Sequence, residues 1–199
     1  MGRAHDVPVS FDNVRDKNLM QLTKLNVSIF PVKYDGRYYT DALSSGDFTK
    51  LAYYGDICVG SVACRLERIN INMVRLYIMT FGILAAYRRL GIGSKLMKHI
   101  LDLCRQDLAI SEIYLHVQTN NEEALAFYQK FGFEVKEKIE KYYTDIEPPD
   151  CYLLVDSSDA HGESSCMMAD MADLEVDDAL VVQSFFDVCT SQQSSKLVV

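Results

Sequence analysis

The chain has 199 residues, 49% of them hydrophobic and 24% charged, a composition that suits one soluble globular domain able to bury roughly 70% of its unfolded surface. Its net charge of −8 is local: residues 156–199 hold nine acids and one lysine, while residues 1–155 hold nineteen of each sign. A balanced body with no basic stripe argues against direct nucleic-acid binding, and no apolar run approaches the ~20 residues of a membrane span. The six cysteines (Cys58, Cys64, Cys104, Cys151, Cys166, Cys189) show no C-x-x-C spacing and read as reduced thiols of a cytosolic or nuclear protein, not as a disulfide frame or a metal site. The N-terminus carries no secretory pattern, and Asp6 stands where myristoylation needs Ser or Thr. Ser195-Lys196-Leu197 looks like a peroxisomal address but is followed by Val198 and Val199.

In chain order, Val7, Val9 and Phe11 alternate as a first strand, and Asp12 or Asn13 can cap a helix carrying Leu19, Leu22, Leu25 and Asn26 to Ile29. Pro31 breaks it. A short helix over Arg37 to Ser45 ends at Gly46. Phe48–Tyr54 and Ile57–Leu66 read as strands joined by the hairpin signal Gly55-Asp56, and a polar loop follows over Glu67–Asn72.

The next stretch organises the rest. Arg75-Leu76-Tyr77-Ile78-Met79-Thr80-Phe81 has the β-branched and aromatic composition of a buried strand. From Ser94 to Asp107, Leu96, Met97, Ile100, Leu101 and Cys104 recur at helical spacing. Between them lies Arg88-Arg89-Leu90-Gly91-Ile92-Gly93. A strand, a glycine turn and a helix aim several N–H groups and the positive end of a helix dipole at one point, which suits a phosphate or pyrophosphate. The order of Gly91-Ile92-Gly93-Ser94-Lys95 rules out a Walker loop, and Leu96 occupies the third glycine of a dinucleotide fingerprint. Arg/Gln-x-x-Gly-x-Gly fits, through Arg88, Gly91 and Gly93.

Downstream, Ile113–Val117 reads as a central strand apolar on both faces. Asn120 or Asn121 caps a helix over Glu122–Lys130, with acids in its first turn, and Gly132 ends it. Phe133–Tyr143 and Cys151–Val155 are closing strands. From Ser157 onward no sheet or cap pattern continues. Residues 156–199 read as an acidic, disordered tail, with an acidic-hydrophobic segment that folds on a partner as the alternative.

The Arg88–Gly93 turn and the later run Asn121-Glu122-Glu123-Ala124-Leu125-Ala126-Phe127-Tyr128-Gln129-Lys130-Phe131-Gly132-Phe133 together resemble the two signatures of the GNAT superfamily of acetyl-CoA-dependent N-acetyltransferases. Phe30-Pro31-Val32, Tyr77–Thr80, Leu115-His116-Val117-Gln118 and Tyr142-Tyr143 narrow the likeness to its N-terminal α-amine (NatE-type) branch. The resemblance covers residues 1–155. It implies an α/β (α+β) fold, with a mixed central sheet, a splayed parallel strand pair and flanking helices.

The resemblance also implies roles. Acetyl-CoA is the cosubstrate, no metal is used, and the pyrophosphate lies on residues 88 to 94 (Arg88, Arg89, Gly91, Ile92, Gly93, Ser94). Phe81 and Ile83 offer backbone to the pantetheine arm, faced by Asn121 and Tyr128, with Tyr128 near the sulfur. Tyr77 and His116 share a water that relieves the amine of its proton. Phe30, Pro31, Val32, Tyr34, Met79, Tyr142 and Tyr143 form the slot for a peptide N-terminus that begins with methionine and a hydrophobic second residue. Relatives of this kind dock on the two-subunit NatA complex and, through it, on the ribosome. Ala86 departs from a proline common in the family, and Lys33 adds a charge beside the peptide loop. A lysine acetyltransferase, or a scaffold with secondary catalysis, stays open on the residues alone.

Overall fold

The structure, a computed structural model, describes residues 8–144, 146–156 and 181–183, the last three by backbone. The expectations for Val7 and for most of the tail lie outside these residues. Strands β1 (Val9–Asn13), β2 (Lys50–Tyr54), β3 (Ile57–Arg68), β4 (Val74–Ile83), β5 (Ile110–Gln118), β6 (Glu134–Ile139), β7 (Cys151–Asp156) and β8 (Val181–Gln183) alternate with helices α1 (Leu19–Ile29), α2 (Gly36–Ser44), α3 (Ile92–Gln106) and α4 (Glu122–Lys130). The strands form one sheet in the order β1-β2-β3-β4-β5-β7-β6, and β8 pairs with β4 off that path. Only β4 and β5 run parallel; the other described pairs are antiparallel. The α3 crossover between these two strands is the connection that parallel pairing requires.

Each face of the sheet carries its own core. On one, α3 sets Ile92, Leu96, Met97, Ile100, Leu101 and Cys104 against Leu76, Ile78, Phe81, Ile83 and Leu115, with Phe127 and Tyr128 of α4. The spacing of the α3 residues makes one apolar stripe, and burying each large aliphatic contributes about 1.5–3 kcal/mol. On the other face, Leu22, Leu25, Tyr38 and Ala42 of α1 and α2 pack on Leu51, Ala63, Tyr77, Met79 and Tyr114.

Along β4 the alternation breaks. Leu76 and Ile78 belong to the first core and Tyr77 and Met79 to the second, yet Phe81 and Ile83 return to the first. The cause lies in the register with β3, where Thr80 faces Ala63 and Ile78 faces Cys64, so that Met79 is an extra residue. This β-bulge bends the strand and re-aims everything after it. The parallel pairing of β4 with β5 ends at Tyr77–Tyr114, just before the bulge, and beyond that point the two strands part.

Several sequence expectations change. Asp12 and Asn13 lie in β1 and cap no helix; α1 starts after Asn18, which makes no side-chain cap bond. Asp35 caps α2 by accepting from the Tyr38 amide at 3.1 Å. Phe48 belongs to a 3-10 turn over Gly46–Phe48, β3 runs to Arg68, and α3 begins at Ile92. The strand expected over Phe133–Tyr143 spans only Glu134–Ile139, leaving Tyr142 and Tyr143 in a loop, and β7 extends to Asp156. Contrary to the expectation of no strand after Ser157, β8 forms at Val181–Gln183. So short a strand exists only through a distant open edge on β4, which local sequence does not display.

Candidate active site

Tyr77 lies on β4 at the last paired position, and His116 lies on β5 two residues beyond its partner Tyr114. Side chains alternate along a strand, so Tyr114 and His116 share the face that Tyr77 occupies. The Tyr77 hydroxyl is 3.2 Å from His116 Nδ1, and the Tyr142 hydroxyl is 3.3 Å from the same atom. The Tyr142 ring also stacks on the imidazole at 4.5 Å. One ring nitrogen has one lone pair, so when Nδ1 is bare only one hydroxyl donates to it at a time. Burial is the main reason that the imidazole's pKa falls to about 4, with Glu67 opposing and Arg65 assisting the fall. Burial likewise pushes the Tyr77 phenol well above its ordinary value. His116 is therefore neutral at pH 7 and Tyr77 is a proton donor. A water shared by the two would lie beside the pair, since their side chains touch directly.

A charged brace, which the sequence reading missed, holds this group. Tyr77 and Tyr114 stack at 4.7 Å. The Arg65 guanidinium lies 5.0 Å from the Tyr77 ring centre and that of Arg75 lies 4.7 Å from the Tyr114 ring centre. Glu67 ties them together, accepting from Tyr114 Oη at 2.6 Å, from Arg75 Nε at 2.9 Å and from Arg65. The one available signal was parity: Arg65 and Glu67 alternate on β3. A cavity of about 290 Å³ opens beside His116, lined by Arg75, Glu112, Tyr114, Tyr142, Leu153 and Val155.

The expected peptide-slot residues come together around the α1–α2 loop. Phe30 meets Tyr34 edge-on at 5.9 Å, and Tyr34 stacks on Tyr38 at 4.3 Å. The Tyr38 hydroxyl bonds Thr80 Oγ1 at 2.7 Å, fastening the aromatic wall to β4 just past the bulge. Tyr34 Oη is buried with no partner among the described residues; after burial, nearby Tyr38, Tyr77 and Tyr143 raise its pKa further. Met79 and Tyr143 are buried on this side, Tyr142 and Val32 are half-buried, and Pro31 is exposed. The Tyr142–Tyr143 loop is held by the Tyr143 amide donating to Pro149 O at 2.8 Å and by Gln118 Nε2 donating to Pro148 O at 2.8 Å.

The glycine turn leads from β4 into α3. Gly91 sits in the left-handed region at φ 71° and Arg89 at φ 58°, and no side chain caps α3. The Lys95 amide donates to Gly91 O at 3.1 Å, and the amides of a helix's first turn, here beginning at Ile92, have no intrahelical acceptor. Arg88 Nε donates to Ile83 O at 3.0 Å, which braces the turn against β4 and leaves that carbonyl a second lone pair. Asn121 Oδ1 caps α4, accepting from the Ala124 amide at 3.1 Å. Tyr128 is fully buried, and its hydroxyl has no partner among the described residues. A buried hydroxyl left unpaired costs about 1–3 kcal/mol, and one such group beside Phe81, together with the uncapped helix start, is what a thioester-linked phosphate cofactor fits.

The described cysteines are free, and burial raises the Cys58 thiol to about 11, those of Cys104 and Cys151 to about 12, and that of Cys64 well above its ordinary value. None supplies a thiolate nucleophile near neutral pH. No group of three or more metal-ligating side chains occurs among the described residues.

A parallel pair that parts beyond a bulge, an uncapped glycine turn into a helix and a Tyr–His couple at the fork define an acyltransferase-type site. The chain belongs to the acetyltransferase (GNAT) family, whose profile matches residues 19–133. It is 50% identical to N-alpha-acetyltransferase 50 of Danio rerio over 146 residues, 73% of this chain and 86% of that one. It is 47% identical to the probable N-acetyltransferase san of Drosophila melanogaster, over 73% of this chain and 79% of that one. Among solved structures, Arabidopsis thaliana Naa50 in complex with the bisubstrate analogue CoA-Ac-MVNAL superposes with a TM-score of 0.72 at 59% identity, covering 75% of this chain and 98% of that one.

Proposed function

We infer that this chain is an N-terminal α-amine acetyltransferase that takes its acetyl group from acetyl-CoA and acts on polypeptides beginning with methionine and a hydrophobic residue. Its acetyltransferase domain is residues 1–155. The activity class and the cosubstrate rest on kinship, and the Arabidopsis relative holds an analogue that joins CoA to a peptide written MVNAL. The finer substrate assignment rests on the apolar wall of Phe30, Pro31, Val32 and Met79, with Tyr34, Tyr142 and Tyr143 offering rings to side chains and hydroxyls to peptide backbone.

Acetyl-CoA supplies an acetyl thioester, held at its phosphates by the amides of residues 92–94 with Arg89 beside them, and at its sulfur end by Tyr128. The protein's own tasks are to relieve the attacking amine of one proton and to stabilise the developing oxyanion. A backbone N–H at the end of the Tyr77 segment serves the second. Tyr77 and His116 serve the first, orienting a water that carries the proton away.

The α-amine reading rests on the burial of the hydrogen-bonded Tyr77–His116 pair, 3.2 Å apart, which holds the imidazole's pKa down to about 4 and keeps the phenol protonated. An α-amine of pKa ~7.8 is already about a tenth neutral at pH 7, whereas a lysine is neutral roughly four times in ten thousand. So gentle a base suits the former. Direct attack in a ternary complex is consistent with the high thiol pKa values. Docking on the NatA complex, and on the ribosome through it, belongs to the same proposal on family grounds, as does a cytoplasmic and nuclear location; co-purification with NatA tests the first.

The deciding assay offers acetyl-CoA with two peptides, one beginning Met-Leu without lysine, the other N-terminally blocked with an internal lysine. Mass spectrometry should place the acetyl group on the Met-Leu α-amine. Transfer confined to lysine would overturn the substrate assignment.

A further inference from the structure

We propose that the open edge of β4 beyond the Met79 bulge is a strand-acceptor site, that the chain's own segment Val181–Gln183 occupies it, and that this segment and the pantetheine arm of acetyl-CoA exclude one another there. The proposal rests on the acetyl-CoA reading above for the identity of the competitor. Its structural part stands on pairing alone.

β3 covers one edge of β4 along its whole length, from Val74 to Ile83. On the other edge β5 pairs only as far as Tyr77, while the far edge of β5 is taken by β7 from Ile113 to Gln118. The fork between β4 and β5 therefore exposes backbone donors and acceptors on the inner edges of both strands. β8 enters there, with Thr80 opposite Gln183, Phe81 opposite Val182 and Gly82 opposite Val181, and it also approaches β5. Neighbouring strands lie about 4.8 Å apart, so the edge of β4 at Thr80–Gly82 has room for one extended chain.

Pantetheine is such a chain, with two amide groups along an extended arm. The backbone at Phe81 assigned to it is the backbone paired with Val182. Ile83, whose carbonyl already accepts from Arg88, lies one residue past that pairing. A tethered segment needs little intrinsic affinity to compete. Twenty-four residues separate Asp156, the end of β7, from Val181, and tethers of this order hold a ligand at roughly millimolar effective concentration. The tail then lowers the apparent affinity for acetyl-CoA by the fraction of molecules in which the edge is free.

The test uses the full chain and its Val181→Pro/Val182→Pro variant. Successive strand N–H groups point to opposite edges, so removing both donors breaks the pairing in either hydrogen-bonding phase. Both substitutions lie beyond β7, outside the sheet order that runs from β1 to β6, and a thermal melt beside the wild type checks that the fold is retained. Amide exchange at Thr80–Gly82 without ligand should be faster in the variant, and calorimetric titration should show acetyl-CoA binding about three- to tenfold tighter, the equivalent of one net backbone hydrogen bond. A synthetic peptide of residues 176–188 should then weaken acetyl-CoA binding to the variant competitively. Equal exchange in the two chains would show that β8 does not hold this edge and overturn the proposal, even with acetyl-CoA bound normally. Unequal exchange with equal affinities would overturn the competition. Failure of both chains to bind acetyl-CoA would overturn the cosubstrate reading and the competition with it, while unequal exchange would still support the strand-acceptor site.

Discussion

The guanidinium of Arg65 lies over the Tyr77 ring, 5.0 Å from its centre, while Tyr114 stacks on that ring from the β5 side at 4.7 Å. The phenol is clamped between the strands on either side of β4, and the clamp is tied through Glu67. Glu67→Gln should loosen it, because an amide is a poorer acceptor for two guanidiniums and a hydroxyl. Glu67 is only partly buried, so the stability loss should be modest after solvent screening, about 1–2 kcal/mol. Turnover should fall more than peptide KM rises, since Tyr77 is displaced and the apolar wall is not. Steady-state kinetics beside a thermal melt checks both; an unchanged kcat would remove Glu67 from the positioning group.

Tyr77 and His116 should behave as one unit. Tyr77→Phe and His116→Ala should each lower kcat by about 10²-fold or more, within the range of a general acid–base contribution. The double variant should be little worse than the poorer single one, because residues that act together lose their effect together. Additive losses in the cycle would mean separate roles.

The elements were legible where local chemistry decides them. The α3 stripe, the Gly91 turn, the Asn121 cap and the Gly55 hairpin each follow from residues a few positions apart. The site was legible to the extent that two short runs carry Tyr77 and His116 on strands of readable parity. The rest depends on what strands do to one another. Nothing in Tyr77-Ile78-Met79-Thr80 marks Met79 as a bulge, since the extra residue appears only against β3. Nothing local tells that Arg88 turns back to Ile83 or that Glu67 collects three donors from three strands. The pairing of β8 belongs to the same class, being set by an open edge about a hundred residues upstream.

Gly82 sets how closely the peptide wall approaches β4. A Cβ there would lie 2.9 Å from Ile29 Cγ2 and 3.1 Å from Phe30 Cζ, so in Gly82→Ala the end of α1 and the Phe30 ring must both yield. Overpacking of this kind costs about 1–3 kcal/mol, and the shift falls on the Phe30–Tyr34 wall. Peptide KM should rise several-fold, most for a bulky second residue. A melt lowered without any change in peptide KM would mean that the wall recovers its position.

Tyr128→Phe separates stability from function. The hydroxyl is buried and unpaired among the described residues, so deleting it removes a desolvated polar group without breaking a protein bond. The variant should be more stable by about 1 kcal/mol, raising Tm by roughly 2–4 °C for a chain of this size. If the hydroxyl serves the sulfur end of acetyl-CoA, kcat should fall in the same protein. A lower Tm would show that the hydroxyl has a partner in solution.

The depressed pKa of His116 sets a pH signature with a definite sign. The imidazole titrates near 4 in the folded protein and near 6.5 when unfolded. Between these values the unfolded chain binds the extra proton and the folded chain does not, so stability rises with pH across the window. Acidification from pH 6.5 towards 4 should therefore destabilise the wild type, by at most about 1.4 kcal/mol per pH unit from this group. His116→Gln, which has nothing to titrate there, should lose less over the same range, as paired denaturation curves at pH 4.5, 5.5 and 6.5 would reveal. The same depression removes His116 from the activity profile near neutrality. The rising limb of kcat/KM should follow the substrate α-amine near ~7.8 and move when the peptide's first residue changes its amine pKa. A limb fixed near 6.5 for every peptide would instead place a titrating His116 in the reaction.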